Sequence, residues 1–274
     1  MTDAATVAWQ RELKGVPAQL EARFPGCWGR FEFLGEIDST NRRLLAAPDL
    51  QPHGFHVCVA REQTAGHGRR GRAWASVADS SLTFSIARAL RMGEIPDPSL
   101  SLAIGVGLAR GLSRCGLEGF FLKWPNDLVT RDGAKLAGVL VEARGKHGEY
   151  PAALVVGIGL NCKGAGVLCV DRPIADLSDL SGPSDLAPRE LLQAIIEEVV
   201  MAWRGFDQGG LSSFGDDLTR IDFLRGRDVV VIDTGDEGRV AGIDPRDGAL
   251  LLEQGERTKR LYSGEVSVRV LRRD

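Results

Sequence analysis

Between Phe120 and Asn161 four apolar runs follow one another closely: FFLKW, DLVT, KLAGVLVEA and YPAALVVGIGLN, with an Arg131-Asp132-Gly133 turn between the second and third. Short apolar runs divided by turn residues are strand signals and leave no room for helices. They predict the centre of a sheet. Whatever else the chain does, it has to cover that sheet.

The remaining pattern supplies the cover. Apolar spacing predicts helices over Thr6 to Arg23, Pro98 to Cys115 and Pro188 to Phe206, the last with Pro188 in its first turn. A further short helix is expected from Leu211 to Leu224. Strands are expected at Phe31 to Ile37, Phe55 to Arg61 and Ser81 to Leu90, and Asp38 or Ser39 can cap a short helix through Leu45. Glu62 to Trp74 has no apolar period and reads as a loop. After Asp222 the character changes to VVVID, TGDEG, RVAGI, DPRDG, ALLLEQ, GERT and KRLYSGEVSVRV. Short strands between tight Gly/Asp turns predict a small antiparallel barrel of SH3-like size. A chain of 274 residues suits one large domain plus such a module, so the expected division is 1–222 and 223–274.

With 43% hydrophobic and 26% charged residues, the chain is neither disordered nor of low complexity. No window reaches the length of a membrane span, and MTDAATVAWQRELKG lacks the layout of a signal peptide, which predicts a cytoplasmic protein. Cys27, Cys58, Cys115, Cys162 and Cys169 are odd in number and form no C-x-x-C pair, so free thiols are expected. A net charge of -3 gives no general attraction to nucleic acid. His53 and His56 lack Cys or carboxylate neighbours and read as ordinary loop and strand residues.

Three segments carry chemistry. In Glu62-Gln63-Thr64-Ala65-Gly66-His67-Gly68-Arg69-Arg70-Gly71-Arg72-Ala73-Trp74 the glycines expose backbone N–H groups and the arginines add fixed positive forks. That suits a phosphate or carboxylate, although a solvated basic loop or a nucleic-acid patch has the same composition. Lys123-Trp124-Pro125-Asn126-Asp127 ends one strand and Lys135 opens another. Two lysines at neighbouring strand ends can neutralise two anions that would repel each other. Gly138, Gly157 and Gly159 interrupt core strands, as happens where a ligand or another backbone comes close. Finally, Ile37-Asp38-Ser39-Thr40-Asn41 offers hydroxyl and amide groups at a helix start, most often a simple cap.

Read in order, D-S-T-N, Q-T-A-G-x-G-R-R-G-R-x-W, K-W-P-N-D, K-x-A-G-x-L-V-E and G-I-G-L-N resemble the biotin protein ligase family. The likeness is close from Glu36 to Asn161 and extends to GALLLEQ and GEVSVR near the end. It implies an α+β fold: a mixed β-sheet with helices on its faces, similar to class II aminoacyl-tRNA synthetases, then an SH3-like barrel. It also implies formation of biotinyl-5'-AMP from biotin and ATP with Mg2+, and transfer to a lysine of a biotin carboxyl carrier protein domain. By position, Ser39, Thr40, Asn41, Gln63, Gly66, His67, Gly68 and Gly138 would bind biotin. Lys135, Arg69 and Lys123 would serve catalysis, with Lys135 and Arg69 also touching biotin. Arg69, Arg70, Arg72, Trp74, Asn126, Asp127 and Asn161 would hold the adenylate. The residues do not identify the Mg2+ ligands.

One departure concerns His67, where the family often has arginine. Histidine keeps a hydrogen-bond donor without arginine's fixed charge, and Arg69 and Arg70 remain, so function is expected to survive. Some members carry an N-terminal DNA-binding module; the first thirty residues hold too few helices for one, so no DNA partner is expected, and a homodimer is left open. The alternatives are a lipoate or octanoate ligase or transferase of related fold, and a nucleic-acid-binding module. The R-R-x-S-G-G-G-x-V-x-H segment of lipoate enzymes is absent, and the apolar tail of lipoate does not need the polar groups of Ser39, Thr40 and Gln63.

Overall fold

The computed structural model describes residues 4–75, 78–146, 151–164, 173–263 and 267–271. The chain opens with two helices, α1 (Ala4–Leu13) and α2 (Val16–Arg23), where the spacing predicts one. Pro17 causes the break: it lacks an N–H, and its ring opposes the carbonyl one turn back. Strand β1 (Trp28–Ile37), helix α3 (Thr40–Leu45), β2 (Phe55–Gln63) and β3 (Ser81–Ala89) follow. Helix α4 (Leu100–Arg114) leads to β4 (Phe120–Lys123), β5 (Asp127–Thr130), β6 (Lys135–Arg144) and β7 (Ala153–Asn161). Tyr150 and Cys169 lie outside the described residues.

These seven strands form one sheet in the order β1-β2-β3-β7-β6-β5-β4. β1 and β2 run parallel and the other neighbours antiparallel, so the sheet is mixed. β6 and β7 lie inside it as expected, whereas β4 is an edge. Its outer side is met by the chain at Asp222, where the Phe223 N–H donates to the Leu122 carbonyl at 2.9 Å.

Strand alternation gives the two faces different jobs. Leu154, Val156 and Ile158 of β7 and Phe84 and Ile86 of β3 pack into the main core with α4 and helix α5 (Pro188–Gly209). The opposite face packs Cys58, Ala87 and Val155 against Leu44 of α3, then opens beyond it. α3 therefore covers only part of its face.

In place of one helix from Leu211 to Leu224, a 3-10 turn at Leu211–Phe214 runs into α6 (Gly215–Ile221). Five antiparallel strands complete the fold: β8 (Asp228–Val231), β9 (Glu237–Ile243), β10 (Leu250–Gln254), β11 (Arg257–Leu261) and β12 (Val268–Val270), in the order β11-β10-β9-β8-β12. This small sheet matches the SH3-like expectation; residues 264–266 of GEVSVR are not among those described. Its Val229, Val231, Leu250 and Leu252 join the same hydrophobic cluster as the large sheet. The junction is fastened by buried Trp124, whose indole N–H donates to the Gly248 carbonyl at 2.9 Å.

Candidate active site

The open part of the sheet face is floored by glycine. A Cβ on Gly157 would stand 2.2 Å from Asn41 Oδ1, and one on Gly159 would stand 2.4 Å from the Trp74 ring. The close approach inferred for these glycines is thus made by side chains, which lie flat on the strand where a methyl group would lift them. Above this floor a cavity of about 260 Å³ opens.

Lys135, first residue of β6, projects into it. Its Nζ lies 2.5 Å from Asp127 Oδ1 and 5.5 Å from the Trp74 ring centre, so its cation is held by a carboxylate and an aromatic face. Gly138 leaves room for that side chain, since a Cβ there would be 2.9 Å from Nζ. The lysine's backbone is fixed too: the Asn161 amide donates to the carbonyls of Lys135 at 3.2 Å and Ala175 at 3.0 Å. Asn161 is buried by these contacts and does not line the cavity, contrary to its expected part in holding adenylate.

A polar wall stands opposite. Ser39 caps α3 with extended backbone and a long 3.5 Å contact to the Arg42 N–H. Gln63 belongs to β2, one strand residue beyond the expected loop start, and its Oε1 accepts the Thr40 N–H at 2.8 Å. Thr40, Asn41 and Ser39 are all nearly inaccessible from outside.

The Gly66–Arg72 segment folds over the top. The Gly68 N–H donates to the Arg72 carbonyl at 2.7 Å and the Trp74 N–H to the Gly66 carbonyl at 3.0 Å, closing a tight excursion. Arg70 sits at φ 57, a left-handed conformation that a non-glycine residue holds only when its surroundings enforce it. Here a guanidinium N–H of Arg70 donates to Asp233 at 3.0 Å and to the Ser267 hydroxyl at 3.3 Å, both in the C-terminal module. Arg69 points inward, with a 3.4 Å contact to Asn126 Oδ1. The Asn126 amide donates to the Val139 carbonyl at 2.7 Å, which turns its oxygen toward the arginine. Burial lowers the Arg69 pKa and the nearby Asp127 charge opposes that, but a guanidinium stays protonated at any physiological pH.

Every site residue predicted from the sequence lines this cavity except Asn161 and Gly66, whose backbone packs against Gln63 and Trp74. The reading from residues missed Ser85 and Glu142 under the wall, and Ile232, Ser267, Val268 and Arg269 of the C-terminal module. Glu142 had a signal, as the last letter of K-x-A-G-x-L-V-E, and Ser267, Val268 and Arg269 as the end of GEVSVR; Ser85 and Ile232 had none. The Trp74 indole N–H is buried with no acceptor among the described residues, leaving a donor for an incoming oxygen. No group of three or more His, Cys, Asp or Glu among the described residues is arranged to hold a metal.

A mixed sheet bearing a glycine-floored cavity, with cations on one side and neutral hydrogen-bonding groups on the other, defines an enzyme domain that brings anionic substrates together. Two families match the chain: the Biotin/lipoate A/B protein ligase family over residues 34–161 and the Biotin protein ligase C terminal domain over 226–269. The bifunctional ligase/repressor BirA of Escherichia coli is 37% identical over 247 residues, 88% of this chain and 74% of that protein. The biotin--[acetyl-CoA-carboxylase] ligase of Mycobacterium tuberculosis is 31% identical over 257 residues, 87% of this chain and 89% of that one. Among solved structures, the Aquifex aeolicus biotin protein ligase in complex with biotin and ATP superposes with a TM-score of 0.75 at 26% identity, covering 89% of this chain and 100% of the other. The chain belongs to the biotin protein ligase family.

Proposed function

We propose that the enzyme activates biotin with ATP as biotinyl-5'-AMP and passes it to a lysine of a biotin carboxyl carrier domain, with the cavity residues in the following roles. The observation that carries this reading is the convergence of Lys135 and Arg69 on one cavity whose far wall is neutral and polar. A biotin carboxylate oxygen attacks the α-phosphorus, and the bond to the departing pyrophosphate breaks. Two anions must meet for this, so fixed cations lower the barrier most when placed where charge grows.

Lys135 reaches that point from the sheet. On binding it divides its attraction between Asp127 and the substrates, while Arg69 approaches from the loop and Lys123 from the end of β4. Ser39, Thr40, Asn41 and Gln63 offer hydrogen bonds to the neutral ureido ring, and the Trp74 N–H an additional donor. The mixed anhydride is destroyed by water, so the Gly66–Arg72 loop shields it until the carrier's amine attacks the carboxyl carbon and AMP leaves. Mg2+ carried by the triphosphate would add charge that offsets the repulsion between the two anions; among the described residues no group of three or more His, Cys, Asp or Glu would hold it.

We place the catalytic unit at 1–222, the C-terminal module at 223–274 and the enzyme in the cytosol; no helix of the described residues is long and apolar enough to cross a membrane. ATP–pyrophosphate exchange compared across biotin, lipoate and octanoate tests the function. Exchange should require biotin. Equal exchange with lipoate or octanoate would reassign the substrate.

A further inference from the structure

Glu142 on β6 is not among the groups assigned to substrate above, yet its carboxylate joins two of them. Oε2 accepts from the Asn41 amide at 2.7 Å, and Oε1 lies 3.2 Å from His67 Nε2. Asn41 belongs to the fixed wall and His67 to the loop, 26 residues further along the chain, so one side chain bridges both sides of the cavity. The wall continues without a gap. Ser85 Oγ lies 2.6 Å from Asn41 Oδ1 and 2.7 Å from Thr40 Oγ1, and Thr40 in turn meets Gln63 Oε1 through its N–H at 2.8 Å.

Proton counting gives this chain a direction. An ionised carboxylate only accepts, so the NH2 of Asn41 must face Glu142 and its oxygen must face Ser85. Ser85 has a single proton, and an amide oxygen can only accept, so that proton goes to Asn41. With that proton spent, Ser85 Oγ can only accept from the Thr40 hydroxyl, whose one proton is shared between Ser85 Oγ at 2.7 Å and Gln63 Oε1 at 3.1 Å. Gln63 presents its oxygen to the Thr40 N–H, which leaves its NH2 as the end that can donate elsewhere. Asn41 cannot escape by swinging toward the sheet, because its oxygen already rests on Gly157. The charge at Glu142 therefore orients Asn41 and Ser85, while the Thr40 N–H independently fixes Gln63.

His67 depends on the same group. Its Nδ1 is buried with no partner among the described residues, so the contact that orients the ring is the one at Nε2.

We propose that Glu142 is a positioning residue for biotin: by holding Asn41 and His67 together it sets the polarity of the Asn41–Ser85 part of the ureido-binding wall and couples that wall to closure of the loop. The proposal rests on the function given above and concerns affinity for one substrate rather than the chemical step.

The experiment is biotin-dependent ATP–pyrophosphate exchange by wild type and by Glu142→Gln, Glu142→Ala, His67→Ala, His67→Arg and the His67→Ala/Glu142→Ala double variant, with thermal unfolding of each. Leaving a buried amide and an imidazole unpartnered should raise the biotin KM roughly tenfold in Glu142→Ala, about 1.4 kcal/mol. Glu142→Gln, of equal size, should also raise it, because its amide allows Asn41 and Ser85 to reverse. The ATP KM should stay within about twofold of wild type, a split that a general loss of packing would not produce. His67→Arg should restore what His67→Ala loses, and the double variant should be no worse than Glu142→Ala alone, as expected for residues sharing one interaction. A biotin KM within about twofold of wild type in Glu142→Gln, or additive effects in the double variant, overturns the proposal. If Glu142→Ala fails to fold, Glu142→Gln decides the matter. Wild-type exchange that is indifferent to biotin would defeat the assigned function instead.

Discussion

Lys135 and Arg69 reach the same cavity from unlike supports. The lysine stands on β6, a strand paired on both edges, with its carbonyl tied to Asn161 and its ammonium to Asp127. The arginine stands on an excursion with little to bury, closed by two backbone hydrogen bonds and fastened at its tip through a strained Arg70. A group that must meet developing charge within a fraction of an ångström belongs on the rigid support, since reorganisation at the moment of reaction forfeits the electrostatic advantage. A group that must admit a substrate and later keep an intermediate belongs on the part that can move. The comparison assigns chemistry to the sheet side and retention to the loop side.

The largest effect should come from the sheet. Lys135→Ala should slow biotinyl-AMP formation by about 10²–10³, the usual cost of removing one preorganised charge partner from a transition state. Rapid-quench measurement of adenylate checks this. A loss of less than about threefold would move the chemistry away from β6.

On the loop side, Arg69→Gly removes a charge-assisted clamp and adds backbone freedom, so adenylate should escape on the order of tenfold faster, because changes of this kind fall mainly on dissociation. Labelling of lysines on a non-carrier protein reports the escape. Wild-type labelling by a variant that still makes adenylate would leave the loop without its clamp.

A smaller effect is expected at the loop's outer tether. Asp233 is exposed, and its pKa is lowered by the Ser267 N–H and by Arg70, so the link to Arg70 is present at neutral pH and is lost only as pH falls through the lowered value. Asp233→Ala should speed adenylate release by less than about fivefold, as suits an exposed ion pair, and added salt should mimic it. A larger change than that of Arg69→Gly would make the C-terminal module, not the loop, the retaining element.

The mildest perturbation is ligand alone. Limited trypsin digestion at Arg69 to Arg72 should slow when biotin and ATP are present, if the loop tightens on its substrates. Unchanged cutting would mean that the loop is equally closed without them.

How much of this could be read beforehand follows the same division. Helix and strand periods located α4, α5 and the strands from Phe120 to Asn161, because each buries a face of regular spacing. Spacing along the chain could not reveal that β4 is an edge, since its partner at Asp222 lies a hundred residues away. Nor could it show Pro17 splitting α1 from α2 before the ring's clash was weighed against a continuous apolar stripe. At the site, motifs in order brought in nearly every lining residue, Gly157 and Gly159 included as places of close approach. Asn161 lies outside that lining because a motif records that an amide is required without saying which way it faces; here it faces the backbone of Lys135. Contacts from Asp233 and Ser267 were invisible, because only folding brings the last strands over a loop some 160 residues earlier.

The central claim is that the two sides of the cavity divide formation and retention of the adenylate. A single-turnover experiment with labelled ATP and biotin, separating enzyme-bound from free biotinyl-AMP, tests it on Lys135→Ala and Arg69→Gly together. The account predicts a crossover: Lys135→Ala forms adenylate slowly and keeps what it forms, while Arg69→Gly forms it within about tenfold of wild type and releases most of it. If instead both variants lose formation to the same degree with the bound fraction unchanged, the two sides act as one unit and the division is wrong.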